Sequence, residues 1–405
     1  MEQELVRRGF GRRVPLALGV GLALAVGVAA CGSSKSSAPS TSSASTTAVA
    51  PTQGSSATTG TSSAGGGSSD AAAAQAFLQP YLSPPTAITV STPLTAKPTS
   101  GKTIVWAQCS AAICQVIGAG MKEAATAVGW TFKTISFDIA NPTTLVSALN
   151  QALQLDPKPV AVGISAIPQA VWASVEPAYA KAGVIIVPVG VGPIQTGPAV
   201  PIDFGGPDDE MLWGKIAGSY AVGDAAGAAN AVVIGEPAFQ AVTDYVNGVK
   251  SAFTGCTGCK LTESDITPMQ GAAGQANSVV VSALQRNSDA KYVFLPDGEF
   301  FPGLPAALKT ANLTGIKVLG QGGTAENMTD VLAGTETAFT QYPSTYAGWL
   351  TVDAALRWAA KQAFDPNNGH LPTQLLTKDT TGKAVADFQQ PSDFRDQFKK
   401  LWQVG

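Results

Sequence analysis

The side chains able to do chemistry are few: the 405-residue chain has five cysteines and a single histidine, His370. One histidine removes Ser-His-Asp and Cys-His catalysis unless His370 itself serves, together with every multi-histidine metal site. His370 lies in the turn-like run Asn367-Asn368-Gly369-His370 and reads as a surface residue. Four cysteines form two close pairs, Cys109 with Cys114 and Cys256 with Cys259. In an exported chain an even number of cysteines points to disulfides. Cys256-Thr-Gly-Cys259 also has redox spacing, but redox pairs draw their low thiol pKa from a helix N-terminus. This pair instead comes after a helical stretch and Gly255, which favours a bridge clamping a turn. A four-cysteine zinc site would need the two pairs, distant in the chain, to meet. No cofactor, metal site or catalytic residue is expected.

The fifth cysteine decides the compartment. Arg7, Arg8, Arg12 and Arg13 precede an uncharged run from Val14 to Ala30, and Val28-Ala29-Ala30 leads into Cys31. A basic flank, an apolar core and small residues at the end are the parts of a secretory signal peptide. Val28-Ala29-Ala30-Cys31 also resembles the lipobox of bacterial lipoproteins. That resemblance implies cleavage before Cys31 and acylation of its thiol and new amino terminus. Two or more acyl chains hold a protein stably at a membrane where one does not. The implied location is the outer face of the cytoplasmic membrane. An uncleaved anchor helix is the alternative.

Residues 31–70 are Ser, Thr, Ala, Gly and Pro with almost no large apolar side chain. Such a segment cannot offset the entropy of ordering and reads as a disordered, flexible linker. Its reach is about 35 Å. Without residues 1–30 the chain keeps 21 basic and 26 acidic residues. That balance argues against a nucleic-acid partner, because phosphate binding needs a basic face. The segment from Ala71 to Gly405 is long enough for two domains with ordinary cores.

The elements that must position any site show in the rhythm from Lys102 onward. Short β-branched runs begin at Thr103, Thr131, Val160 and Val184, and again at Ala231, Leu261, Tyr292 and Ile316. Helical patterns lie between them, including Ile113–Val128, Gln169–Ala182, Phe239–Phe253 and Gln275–Arg286. Strands alternating with helices make doubly wound parallel sheets. Two such series, broken near Asp203–Gly214, predict an α/β chain of two similar lobes. Lobe 1 is expected over 102–203 plus 342–372, and lobe 2 over 204–341 plus 373–405. Residues 71–101 form an N-terminal extension, either packed on lobe 1 or prolonging the linker. In open parallel sheets ligands bind beyond the carboxyl ends of the strands. No dinucleotide or P-loop glycine pattern opens any helix.

These features resemble the periplasmic-binding-protein type 1 fold, in particular the ribose- and galactose-type solute-binding lipoproteins of ABC importers. The resemblance covers roughly 101–376. It rests on Gly214-Lys-Ile-Ala-Gly218 after an acidic turn, Tyr292-Val-Phe-Leu-Pro-Asp297-Gly-Glu299, Lys317-Val-Leu-Gly320 and Ala338-Phe-Thr-Gln341-Tyr-Pro343. It implies a monomer that binds a small solute between its lobes, closes about a hinge, and is recognised by a membrane permease. The hinge would lie at Asp203–Gly205, Gln341–Tyr342 and Leu371–Leu376. Carried over by position, the ligand-facing residues are Gln108, Ser110, Ile113 and Ser165 in lobe 1. In lobe 2 they are Phe239, Thr243, Met269, Gln270, Asp297 and Gln321, with Gln341 at a crossing.

Two positions depart from the sugar-binding pattern. Thr243 stands where such members usually carry an arginine, and Gly322 or Gly190 where they carry an aspartate. An arginine fork and a carboxylate recognise vicinal hydroxyls well, so their loss weakens the case for a simple free sugar. An aromatic, apolar or signalling solute presented to a sensor is the alternative. An exported enzyme on a Rossmann-like scaffold is the rival from another class, with Asp297 and Glu299 as its only paired carboxylates.

Overall fold

The computed structural model describes residues 65–405 apart from Ala386. The signal peptide expected over 1–30, the lipidation site Cys31 and nearly all of the linker lie outside the described residues. Helix α1 (Gly65–Leu78) begins inside the segment expected to be linker.

The first lobe is built from β1 (Thr103–Gln108), α2 (Ala112–Ala127), β2 (Thr131–Ser136), α3 (Thr144–Leu153), β3 (Ala161–Ser165), α4 (Gln169–Trp172), α5 (Glu176–Ala182) and β4 (Ile185–Val189). Its strands pair in parallel in the order β2-β1-β3-β4. The sheet reverses its winding between β1 and β3, the crevice where open sheets take ligands. Strands β1, β3 and β4 are buried along their length, as their unbroken apolar runs require of a sheet covered on both faces. The helix expected over 169–182 is interrupted by a 3₁₀ turn at Ala173–Val175. Pro177, at the start of α5, has no N–H to continue the ladder.

The second lobe continues the chain with α6 (Pro207–Asp224), β5 (Asn230–Gly235), α7 (Gln240–Thr254), β6 (Lys260–Asp265), α8 (Pro268–Ala272), α9 (Ala276–Arg286), β7 (Tyr292–Leu295), α10 (Leu304–Thr310), β8 (Lys317–Gly320), α11 (Ala325–Ala333) and β9 (Ala338–Phe339). After α12 (Ser344–Ala360) the chain returns to add β10 (Leu376–Thr377), and it ends in α13 (Phe394–Leu401). The sheet order is β10-β9-β8-β7-β5-β6, with only β9 and β10 antiparallel. Helices α6 and α7 pack so closely that a Cβ on Gly214 would lie 2.0 Å from the Tyr245 carbonyl oxygen. Only glycine fits such an approach.

Helix α12 packs on α2 of the first lobe. The C-terminal end differs from expectation. Chain order places residues 373–405 in lobe 2, yet α13 packs against α12. Trp402 stacks on Trp349 at 5.2 Å between ring centroids, and Phe394 and Phe398 flank the same ring. The aromatic stripe Phe394, Phe398, Trp402 recurs every fourth residue, and burial of that face against the first lobe outweighs chain proximity to β10.

The N-terminal extension also departs from both expected placements, because it runs across the two lobes. Helix α1 lies on α6, with the Gln75 amide reaching the Gly223 carbonyl at 3.4 Å. The Leu375 amide donates to the Tyr81 carbonyl at 2.8 Å. Farther on, the Thr89 amide donates to the Tyr346 hydroxyl at 2.8 Å, and Asp365 accepts from the Ser91 and Thr92 amides at 3.0 and 2.7 Å. No helix among the described residues is long and apolar enough to cross a membrane.

Candidate functional site

On the first lobe the residues expected to face a ligand sit at the strand ends. Gln108 closes β1 half-buried, and Ser165 closes β3 buried. Ser110 is exposed and Ile113 half-buried in the turn that opens α2. That turn is pinned by the Cys109–Cys114 disulfide, whose Cα atoms stand 5.7 Å apart. The buried Trp106 indole donates to the Cys114 carbonyl at 2.9 Å, so strand, bridge and helix start are locked together. The second bridge, Cys256–Cys259, closes the turn between α7 and β6. That turn meets α1, where Asp70 accepts from the Thr257 amide at 3.0 Å.

On the second lobe the expected residues separate by role. Phe239, 43% exposed, precedes α7, and Thr243 stands one turn later with its hydroxyl directed to the Phe239 carbonyl at 3.4 Å. Met269 is 80% exposed on α8. Gln270 is committed to its own helix start, where its Oε1 accepts from the Thr267 amide at 2.9 Å while its amide donates to the Thr267 hydroxyl. This reciprocal capping gives Gln270 a structural task of its own. Gln341 is likewise engaged. Its side-chain amide donates to the carbonyls of Gly323 and Val385, at 2.8 and 2.6 Å, tying β9 to the returning chain. Its Oε1 is buried without a hydrogen-bond partner among the described residues.

Asp297 stands at the end of β7 and caps the 3₁₀ turn Gly298–Phe300, accepting from the Glu299 amide at 2.9 Å. Its place explains one departure from the sugar-binding pattern. A Cβ on Gly322 would lie 2.8 Å from Asp297 Oδ1, so the β7 carboxylate already fills the space beside position 322. The other glycine, Gly190, is faced by Tyr342, whose hydroxyl would lie 3.2 Å from an added Cβ. Thr243 has no such replacement.

Sequence reasoning passed over Glu210. It lies in the first turn of α6, 6% exposed, and accepts a 2.6 Å hydrogen bond from the Gln321 side chain at the end of β8. A signal was available: Glu210 shares the buried stripe of Trp213, Gly214 and Ala217, at the i, i+3, i+4, i+7 spacing of one helix face. Asp209 beside it is buried too, facing His370 Nδ1 at 3.4 Å and accepting from the Leu371 amide at 3.1 Å. The imidazole remains exposed, as expected, and its bond to Asp209 raises its pKa.

Around Glu210 the second-lobe edge is acidic. Burial pushes the Glu210 carboxyl well above its ordinary range, against the Gln321 bond, and the charges of Asp209, Asp297 and Asp244 add to the shift. Burial likewise raises Asp297 to about 7, opposed by the Glu299 amide and reinforced by Glu299 and Glu236. Glu236, just past β5, is raised by burial. Several buried polar atoms here have no hydrogen-bond partner among the described residues: Glu236 Oε2, Asp244 Oδ2, Gln321 Oε1 and the Tyr245 hydroxyl. Buried polar groups are ordinarily paired, so this edge is set up to receive hydrogen bonds from something else. No group of three His, Cys, Asp or Glu side chains among the described residues could hold a metal ion.

The geometry has counterparts among solved structures. A substrate-binding protein of a sugar ABC transport system from Bordetella parapertussis is 20% identical, with a TM-score of 0.62 over 76% of this chain and 96% of that one. A 5-methylthioribose transporter solute-binding protein from Thermotoga lettingae, solved with 5-methylthioribose, is 16% identical, with a TM-score of 0.57 over 76% of this chain and all of the other. An ABC transporter solute-binding protein from Mycobacterium smegmatis with bound glycerol is 17% identical, with a TM-score of 0.57 over 72% of this chain and all of that one. No relative is found among curated protein sequences. The family model described as periplasmic binding protein domain matches residues 103–363, taking in β1–β9 and α12. The chain therefore belongs to the periplasmic binding protein domain family.

Proposed function

We propose that this protein is the solute-binding component of an ABC importer, a monomer tethered by lipid on Cys31 to the outer face of the cytoplasmic membrane. It takes one small, hydroxyl-bearing solute between its lobes and closes about the crossings at 203–205, 341–342 and 371–376. The observation that carries this reading is the buried, unsatisfied edge of the second lobe beyond β5, β7 and β8, in a chain of this family. Gln108, Ser110, Ile113 and Ser165 supply the first-lobe wall, and Phe239, Thr243, Met269 and Asp297 the second. Gln321 joins the second wall with its unpartnered Oε1, and Gln270 and Gln341 brace it. A solute that touches both lobes stabilises the closed form by its differential affinity, and that form is what a permease recognises. The role is binding without turnover.

The test is thermal denaturation of residues 61–405, which form one compact unit, against sugars, polyols, amino sugars, aromatic acids and amino acids. A solute at about 100 times its dissociation constant adds about 2.7 kcal/mol and raises the melting temperature. If no solute in the panel stabilises the protein, the reading fails.

A further inference from the structure

The charges around the second-lobe edge are one-sided. The stretches that follow β1–β8 and lead to the next helix carry five charged residues in all, every one acidic: Asp138 and Asp203 on the first lobe, and Glu236, Asp297 and Glu299 on the second. Asp244 adds another carboxylate from the first turns of α7, 8% exposed. Elsewhere the protein neutralises a buried acid with its own cation. Arg357 Nε stands 2.7 Å from Asp353 Oδ2, with both side chains fully buried. Among the described residues Glu236, Asp244 and Asp297 have no such ion pair. Glu236 and Asp244, both more than nine-tenths buried, each keep one carboxylate oxygen without a hydrogen-bond partner, and so does the Gln321 carbonyl oxygen. All three free atoms are acceptors. A neutral polyol could satisfy them with hydroxyls, but it would leave the carboxylates buried without a counter-charge, which is costly.

Resting on the solute-receptor reading above, we infer that the solute carries a protonated amine beside its hydroxyl groups, seated against Glu236, Asp244 and Asp297. The ammonium supplies the counter-charge that this wall lacks, and its three N–H groups match the free acceptors. The absence of an arginine at Thr243 is accounted for by the same chemistry, since a guanidinium there would repel the solute and occupy its carboxylates. A matched neutral sugar would be discriminated against by the charge it lacks.

Isothermal titration of residues 61–405 with matched pairs tests this. Each pair is a neutral sugar or polyol and its amino-deoxy counterpart, such as glucose with glucosamine and galactose with galactosamine, together with simple polyols and their amino alcohols. The expected result is at least one amine binding ten times or more tightly than its neutral twin. Asp297→Asn and Asp244→Asn, on different elements, should each weaken the amine more than its neutral twin and so remove that preference, with folding checked by circular dichroism. A neutral twin that binds as tightly as its amine overturns the inference and leaves the receptor reading standing. Binding by no member of any pair overturns both.

Discussion

The Gln321 side-chain amide donates a 2.6 Å hydrogen bond to Oε2 of Glu210, joining the end of β8 to the first turn of α6. The contact fixes the helix that enters the second lobe to the strand end that forms its binding edge. An acid in the first turn of a helix is favoured by the helix dipole, and here burial raises the carboxyl well above its ordinary range. Glu210→Gln should therefore change stability little, whereas Glu210→Ala would leave the Gln321 amide buried and unpartnered. That loss costs about 1–3 kcal/mol. Chemical denaturation of both variants reads the difference, and equal losses would contradict the assignment.

Asp297 and Glu336 set a pH dependence with a definite sign. Both carboxyls are raised to about 7, chiefly by burial, and Glu336 is pushed further by Asp330 and Glu326 against its bond from Asn327. A raised folded pKa contributes stability that is full below the unfolded value of about 4 and is lost as pH rises through about 7. The ligand-free protein should accordingly melt higher at pH 5 than at pH 8. Asp297→Asn and Glu336→Gln should each flatten the slope, and an unchanged slope in both would refute the attribution.

Asp365 works in the opposite direction. Burial alone would raise its carboxyl, but bonds from Thr92, Asn367 and Ser91 outweigh this and hold it below the ordinary range. Its stabilisation is present above the unfolded pKa of about 4 and is lost as pH falls below it. Asp365→Ala should cost on the order of 2 kcal/mol at pH 7, with the difference shrinking toward pH 3. Hydrogen exchange of the Ser91 and Thr92 amides should rise in the variant, because they lose their acceptor. Unchanged exchange would mean that the segment is held by something else.

The strand-and-helix order was legible from β-branched runs and glycine stops, since burial on both faces writes an unbroken apolar run into each central strand. The strand ends that carry Ser165, Phe239 and Asp297 came with that order. Less local features did not. Phe394, Phe398 and Trp402 advertise an apolar helix face, but nothing in a linear chain says that Trp349 will receive it. Gln341 and Gln270 looked free for a ligand because the carbonyls of Gly323 and Val385, and the amide of Thr267, are backbone groups with no sequence signature. Glu210 was obscured by its neighbours, the acidic run Asp208–Glu210 reading as a solvated turn when two of its three members are buried.

The tether makes its own prediction. Cys31→Ser in the full chain should move the protein from the membrane fraction to the soluble exported fraction without changing the melting of residues 61–405. Retention at the membrane would point to an uncleaved helix over 14–30.

The central claim is that both lobes hold one solute between them. Isothermal titration with the strongest solute from the thermal panel should give one site per chain. Gln108→Ala on the first lobe and Asp297→Asn on the second should each weaken binding tenfold or more, with the solute recovered chemically unchanged. Binding that responds to variants of one lobe only, or a solute recovered as a different compound, would contradict it.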